Sequence, residues 1–163
     1  MAVDMFLKLD GIDGESTDKG HKNEIEIESF SWGASNSGSA AHGGGGGGAG
    51  KASFQDFSFT TRVSKASPRL FLACASGEHI KSALLTVRKA GGQQQDFLKV
   101  TMSGLLVSSY KAEGASGADA AVPVDQVSLN FAKIQVAYAP QRPDGTLDRE
   151  VTAGWDLQKN VKI

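Results

Sequence analysis

The sequence predicts a mainly β fold: an antiparallel β-barrel of two curved sheets, with one short α-helix and a long extended glycine-rich loop. Apolar and polar residues alternate with a period of two through most of the chain, which is typical of half-buried strands. Some strands change phase, which indicates the bulges and bends of curved sheets. Only one segment has the start and stop signals of a helix. With 163 residues, the chain is predicted to be a single barrel domain covering residues 1–163.

The first two predicted strands are VDMFLKL and NEIEIESFSWG. In the second, Ile25 and Ile27 occupy odd positions, whereas Phe30 and Trp32 occupy even positions. One face of the strand keeps all four only if an extra residue, a β-bulge, lies near Glu28–Ser29. Alternatively, the two halves bury opposite faces, one against the core and one against a neighbour. A third strand, SFQDFSFTTRV, shows a similar change of phase.

One helix is predicted over residues 67–76, in SPRLFLACAS. Ser67 is the expected N-cap, Pro68 occupies the first helical position, and Gly77 ends the helix. The rest of the chain is nearly all strand, in SALLTVRK, DFLKVTMSGLLVSSYKAE, DQVSLNFAKIQVAYAP and GWDLQKNV. The third of these changes phase between Phe131 and Ile134. About eight bent strands and one short helix favour a barrel or a tight sandwich.

The segment HGGGGGGAGKAS, His42–Ser53, resembles a nucleotide-binding P-loop. The spacing from Gly45 to Lys51 matches that motif, but Ala52 replaces the hydroxyl residue that would hold magnesium. A strand pattern follows, instead of the helix whose N-terminus binds phosphate. We therefore interpret residues 33–51 as an extended loop and not as a nucleotide site.

No other pattern indicates catalysis or metal binding. His21, His42 and His79 are far apart and lack the spacing of metal ligands, so each is expected to be a surface histidine. No nucleophile elbow is present, and the single cysteine, Cys74, lies in an apolar stretch, which favours a buried hydrophobic role. The chain is predicted not to be an enzyme and to need no cofactor or metal.

Charge and hydropathy exclude two further classes. The net charge is −1 with scattered lysines and arginines, so no nucleic-acid footprint is present. Asp4 and Lys8 interrupt the N-terminus, where a secretory signal would have an uncharged apolar run. No stretch reaches the length of a membrane span, so no membrane insertion is expected. The chain is predicted to fold in the cytoplasm and, if exported, to use a route that reads no such signal.

Six segments occur in an order that resembles a known family. They are MAVDMFLKLDGIDGEST, HKNEIEIESFSWG, GGAGKASFQDFSFT, SPRLFLACASGEHIKSALLTVRKAGG, VSLNFAKIQVAYAPQ with the following PDG, and GWDLQKNV. Together they resemble the haemolysin co-regulated protein (Hcp) family, the inner-tube subunits of bacterial type VI secretion. The resemblance covers essentially the whole chain.

The resemblance implies a β-barrel that assembles into homohexameric rings. The rings would stack into a hollow tube inside contractile sheath proteins, with a VgrG-type spike protein at the tip. Small effector proteins would lie in the lumen and be carried out of the bacterial cytoplasm into the medium or a target cell. The alternative hypothesis is a monomeric secreted ligand-binding β-barrel, which predicts no higher assembly.

Three groups of residues are candidates for these contacts. Ser29 and Ser31 stand opposite apolar strand positions and are candidates to face the lumen and its effectors; the alternative is an ordinary exposed strand serine. The glycine loop is the candidate for ring stacking, since glycine allows close backbone approach; the alternative is an inert linker. The stacking residues are His42, Gly43, Gly44, Gly45, Gly46, Gly47, Gly48 and Lys51, and the ring-face rims are Ala90, Gly91, Gly92, Gln158, Lys159 and Asn160.

Overall fold

The computed structural model describes residues 2–37, 51–90 and 94–163, which contain ten strands and one helix. Their bounds, in chain order, are β1 Val3–Leu9, β2 Ile25–Glu26, β3 Ser29–Asn36, β4 Ala52–Arg62, α1 Ala66–Ser76, β5 His79–Lys89, β6 Asp96–Glu113, β7 Val124–Asn130, β8 Lys133–Tyr138, β9 Val151–Asp156 and β10 Val161–Lys162.

All pairings between these strands are antiparallel, and two curved sheets share strand β6. One sheet has the order β10-β9-β8-β6-β5-β1-β2, and the other runs β3-β4-β7-β6. The mainly β, barrel-like prediction is confirmed, although no strand pairing within the described ranges closes the sheet into a complete barrel.

Strand β6 serves both sheets because it changes partners along its length, and Gly104 lies near the changeover. Its first part pairs with β5 and β8, and from Leu106 onward it pairs with β7. Gly104 has a φ of 64°, and a Cβ there would lie 2.9 Å from the Cβ of Ala132. A larger residue would meet both a strained backbone and a close neighbour.

The phase change after Ile27 comes from a change of partner strand, so the bulge predicted near Glu28–Ser29 is wrong. The N–H of Ile27 donates to the carbonyl of Met5 in β1, and the next N–H, that of Glu28, donates to Thr60 in β4. The chain therefore leaves one sheet and joins the other at this point. The burial of opposite faces is wrong too, because both halves pack on the same core.

A bulge does occur two residues further along, between β3 and β4. The register shifts between Ser31 and Gly33, so that Asp56 and Phe57 lie opposite Trp32. This extra residue in β4 explains the change of phase in SFQDFSFTTRV. The phase change after Phe131 has a different cause, because it falls between two separate strands, β7 and β8.

Helix α1 begins at Ala66, and its predicted N-cap is wrong. Lys65 occupies that position without a side-chain hydrogen bond, which places Ser67 second and Pro68 third in the helix. Gly77 ends the helix in the left-handed conformation, with φ 67°, as expected.

Ser67 is instead part of a buried hydrogen-bond network. Its hydroxyl donates to Asp125, which is 1% exposed, and the hydroxyl of Tyr110 donates to the same carboxylate at 2.8 Å. Burial, together with the bond to Asp125, raises the pKa of Tyr110. The network fixes the start of α1 to β6 and β7.

The hydrophobic core lies between the curved sheets and the inner face of α1. Cys74 is half-buried and packs against this core. The largest fully buried side chains are Phe57, Phe59, Leu7, Ile25, Leu70, Leu85, Met102, Leu105 and Leu129.

The extended loop starts later than predicted. Strand β3 continues to Asn36 and pairs with β4 down to Ala52, so residues 33–36 are strand and not loop. In this hairpin stem, Ala34 lies opposite Phe54 and Ser35 lies opposite Ser53. The predicted loop residues 38–50 lie outside the described residues.

Candidate binding and assembly surfaces

The exposed side of the sheet β3-β4-β7-β6 is lined by hydroxyl groups. Strand register aligns the positions into rows: Ser31, Ser58 and Ser128 lie opposite one another in turn, and Ser109 follows in β6. Alternate residues point inward, since side chains of a strand alternate between faces. We call this surface the hydroxyl face; it comprises Ser29, Ser31, Ser58, Thr60, Ser109 and Ser128.

Neighbouring hydroxyls on this face bond to one another. Ser29 Oγ lies 2.6 Å from Thr60 Oγ1, and Ser58 Oγ lies 2.8 Å from Ser128 Oγ. The surface forms a shallow hollow of about 410 Å³. A hydroxyl donates one hydrogen bond and accepts two, so these groups can offer bonds of either kind to a molecule in the hollow.

Charged groups occur at the two margins of the hydroxyl face. At one margin, Asp56 accepts hydrogen bonds from Ser108, at 2.6 Å, and Asn130, at 3.1 Å. At the other, Lys111 Nζ pairs with Glu113 Oε1 at 2.7 Å. The centre of the face is therefore neutral and polar, and the charged groups lie at its edges.

The structure brings Ser29 and Ser31 together on this face, and both are exposed. Sequence reasoning missed their partners Ser58, Thr60 and Ser128, which come from strands far away in the chain. The available signal was the alternation of hydroxyl and apolar residues in FSFT and VSL, on strands already predicted.

The rim candidates lie at opposite ends of the strands. Ala90 follows β5, and its N–H donates to the carbonyl of Ala2 at 3.1 Å. The other rim, Gln158–Asn160, forms the exposed turn between β9 and β10. The strand register shows this separation. Strand β8 begins at Lys133, beside the turn, and ends at Tyr138, on the side of Ala90.

Several candidates cannot be placed by the structure. His42, Gly43–Gly48, Gly91 and Gly92 lie outside the described residues. Lys51 is described, and it is an exposed residue immediately before β4.

Sequence reasoning also missed a buried ionic cluster centred on Arg88, which is 6% exposed. Its two terminal nitrogens donate to the two carboxylate oxygens of Asp18 at 2.9 and 2.8 Å, and Asp4 lies 3.4 Å away. The Arg88 hydrogen bonds are the main reason that the pKa of Asp18 falls to about 2. Reciprocally, Asp18 raises the pKa of Arg88.

His21 belongs to the same cluster, so its prediction as a surface histidine is wrong. Its ring is 8% exposed and stacks on Phe6, with 4.3 Å between centroids, while Cζ of Arg88 lies 4.9 Å from the Phe6 centroid. Nδ1 of His21 lies 3.0 Å from Glu24 and Nε2 lies 3.4 Å from Asp96. The cluster ties the connection between β1 and β2 to the sheet.

Within residues 2–37, 51–90 and 94–163, no group of three or more His, Cys, Asp or Glu side chains is arranged to hold a metal ion. In the same ranges, no helix is both long and apolar enough to cross a membrane.

Comparison with known proteins gives a consistent result along the whole chain. The family model described as type VI secretion system effector, Hcp, matches residues 6–138. Protein hcp1 of Pseudomonas aeruginosa is 49% identical over 164 residues, covering 99% of both chains. The crystal structure of Hcp1 from Salmonella typhimurium covers 100% of both chains at 37% identity and a TM-score of 0.81. A further structure, of a type six secretion system protein, is 32% identical, with a TM-score of 0.91 over 99% of this chain and 100% of that one.

Proposed function

Since the chain belongs to the Hcp family of type VI secretion system proteins, we propose that it forms six-membered rings that stack into a hollow secretion tube. The family consists of structural, secreted proteins and is not an enzyme family. The observation that carries the proposal is the hydroxyl face, an exposed sheet surface whose central side chains are small and uncharged. Such a surface suits the wall of a lumen that different proteins must enter and leave.

The hydroxyl face accounts for transport without tight binding. Each hydroxyl contributes little net energy to a contact, about 1 kcal/mol, because it exchanges water for a protein partner. Six copies around one lumen would multiply these weak contacts through effective concentration. We therefore assign Ser29 and Ser31 to contacts with small effector proteins.

The two ends of the strands account for stacking. Ala90 and Gln158–Asn160 lie at opposite ends of one sheet, so each would belong to a different face of the ring. When two unlike ring faces make contact, the free faces at both ends can bind further rings, so the rings form an open stack. The glycine-rich loop would add contacts to the next ring or subunit. Contractile sheath proteins and a VgrG-type spike protein complete the proposed partners, and export from the bacterial cytoplasm follows contraction.

Native mass tests the ring. Light scattering on a sizing column should give six times the 17.0 kDa of one chain. A monomer at high concentration would contradict the ring and favour the ligand-binding barrel.

Substitution of Ser31 tests the lumen. Ser31→Gln should leave the ring mass unchanged and reduce the effector that copurifies with the ring several-fold, because the longer side chain fills space at the hydroxyl face. Ser76→Gln, at the exposed end of α1, is the matched control. Equal effector recovery in both variants would overturn the assignment of Ser31.

A further inference from the structure

The connection between β8 and β9 is a long loop that is held by hydrogen bonds between its own residues. Within this end loop, residues 139–150, the N–H of Arg142 donates to the carbonyl of Thr146 at 2.7 Å, and the N–H of Gly145 donates back to Arg142 at 2.9 Å. The N–H of Asp148 donates to Pro140 at 2.6 Å. Loops of this length are uncommon in compact domains and are often functional.

Two side chains fasten the end loop to the sheet. Lys89, at the end of β5, donates to the side-chain oxygen of Gln141. Lys99, in β6, lies 3.4 Å from Glu150. A surface that is already ordered loses little conformational entropy when it binds.

The tip of the end loop is exposed and carries carboxylates. Asp144 accepts hydrogen bonds from the hydroxyl and N–H of Thr146, at 2.6 and 2.9 Å, which lowers the pKa of Asp144. Asp148 pairs with Arg142 at 3.2 Å. Asp144 thus remains an ionised charge near neutral pH on the exposed tip of the loop.

A hollow of about 670 Å³ lies at the other end of the same strands. Gly104, with a φ of 64°, and Leu106, which is 41% exposed, both lie on its wall. Lys133 stands at its margin with 47% of its side chain exposed, 3.9 Å from buried Asp156. Lys159 follows in the adjacent turn, whereas Glu78 precedes His79 on the β5 side. This end hollow is lined by His79, Ser103, Leu106, Phe131, Lys133 and Gln158.

The end loop and the end hollow are joined by one strand. Strand β8 begins at Lys133 in the hollow and ends at Tyr138, just before the loop. Six residues of strand span about 20 Å. Translation of a second copy along β8 would therefore bring its end loop over the hollow of the first.

We propose that the end loop of one copy docks into the end hollow of a second copy in the next ring. This inference rests on the proposed tube. The carboxylate of Asp144 meets the cations of Lys133 and Lys159, and the loop tip covers the exposed Leu106. Because the two surfaces are unlike and face opposite ways, the contact repeats without closing.

Disulfide trapping tests this contact. In a Cys74→Ser background, Pro143→Cys at the loop tip is combined with Leu106→Cys in the hollow. Mild oxidation of concentrated rings should give covalent ladders of more than six chains on a non-reducing gel. Pro143→Cys combined with Ser76→Cys, on the exposed end of α1, is the matched control and should not form such ladders.

Electron microscopy of the same samples separates the possible failures. Stacked rings without ladders in the Pro143–Leu106 pair would overturn the docking and leave the tube intact. Equal ladders in the control pair would also overturn it. If no rings stack at any concentration, both the tube and the docking fail.

A charge variant gives a second measurement. Asp144→Asn keeps the side-chain oxygen that Thr146 needs but removes the charge, so the concentration required for stacking should rise about threefold to tenfold. The effect should weaken at high salt, which screens exposed charges. Asp119→Asn, in another exposed loop, should behave like the parent chain, and an equal shift in both variants would overturn the charge pairing.

Discussion

The hydroxyl face and the Arg88 cluster are both polar, yet they are built in opposite ways. The hydroxyl face is neutral and largely open, and its bonds join small neighbours such as Ser58 and Ser128. The Arg88 cluster is charged, its guanidinium is buried, and it joins residues 70 to 84 positions apart in the chain.

The difference concerns how firmly each region is committed to one geometry. A hydroxyl rotates to donate or accept and binds any one partner weakly, so the hydroxyl face can accept varied molecules. Burial of a guanidinium carries a large desolvation penalty, which fixed carboxylates beside it must offset. Under the proposed function, the first region therefore serves exchange with partners, whereas the second holds the fold in one arrangement.

The largest effect is expected from removal of Arg88. Arg88→Met should lower the free energy of unfolding by about 2–4 kcal/mol, because breaking a buried pair costs about 3–5 kcal/mol and here the carboxylates are partly exposed. For a chain of this size, the melting temperature should fall by roughly 5–15 °C. Calorimetry at one protein concentration measures this, since assembly also raises the melting temperature.

Arg62→Met is the matched control for this substitution. Arg62 pairs with Glu28 at 3.0 Å, but 73% of its side chain is exposed. Exposed pairs contribute about 0–1 kcal/mol, so this variant should melt close to the parent chain. If the two variants lost equal stability, the contrast between buried and exposed polar groups would fail.

The second-largest effect is expected from acid, which should lower the stability contributed by the Arg88 cluster. The pKa of Asp18 is about 2 in the folded chain, against 3.8 for an ordinary aspartate. The contribution of Asp18 is thus complete above about pH 5 and is lost as the pH falls towards 2, where the unfolded chain binds more protons.

Asp18→Asn tests this pH dependence. The free energy of unfolding, measured in urea at several pH values, should fall less steeply between pH 5 and pH 2 than in the parent chain. Asp119→Asn should leave the slope unchanged. Identical slopes in the parent and Asp18→Asn would show that Asp18 contributes nothing to acid stability.

Local patterns were sufficient to predict the class of fold. Alternation in VDMFLKL or DFLKVTM depends on burial of one face of a strand, and Gly77 ends α1 through its own φ angle. The resemblance across six ordered segments then supplied the family. The same local reasoning placed Ser31 on an exposed strand face, because it stands between two aromatic residues of one strand; its contact with effectors stays a prediction.

Long-range partners could not be read from the sequence. His21 resembles a loop histidine until Phe6 and Asp96 surround it. Ser67 resembles an N-cap until Asp125, 58 residues away, accepts its hydrogen bond. The change of partner after Ile27 and the change of partners in β6 near Gly104 also depend on how strands meet. The residue pattern of a single strand does not show this.

The smallest effect is expected on the hydroxyl face itself. Ser58→Ala removes one partner of a half-buried hydroxyl pair and should cost about 0.5–1 kcal/mol. Adding Ser128→Ala should cost little more, because removing both partners leaves no unpaired group. Urea unfolding of the parent, both single variants and the double variant measures this coupling. A loss above about 2 kcal/mol would place the hydroxyl face beside the Arg88 cluster as a structural element. A small loss with reduced effector recovery would separate the two regions, because these serines would then matter for contacts with partners and little for the fold.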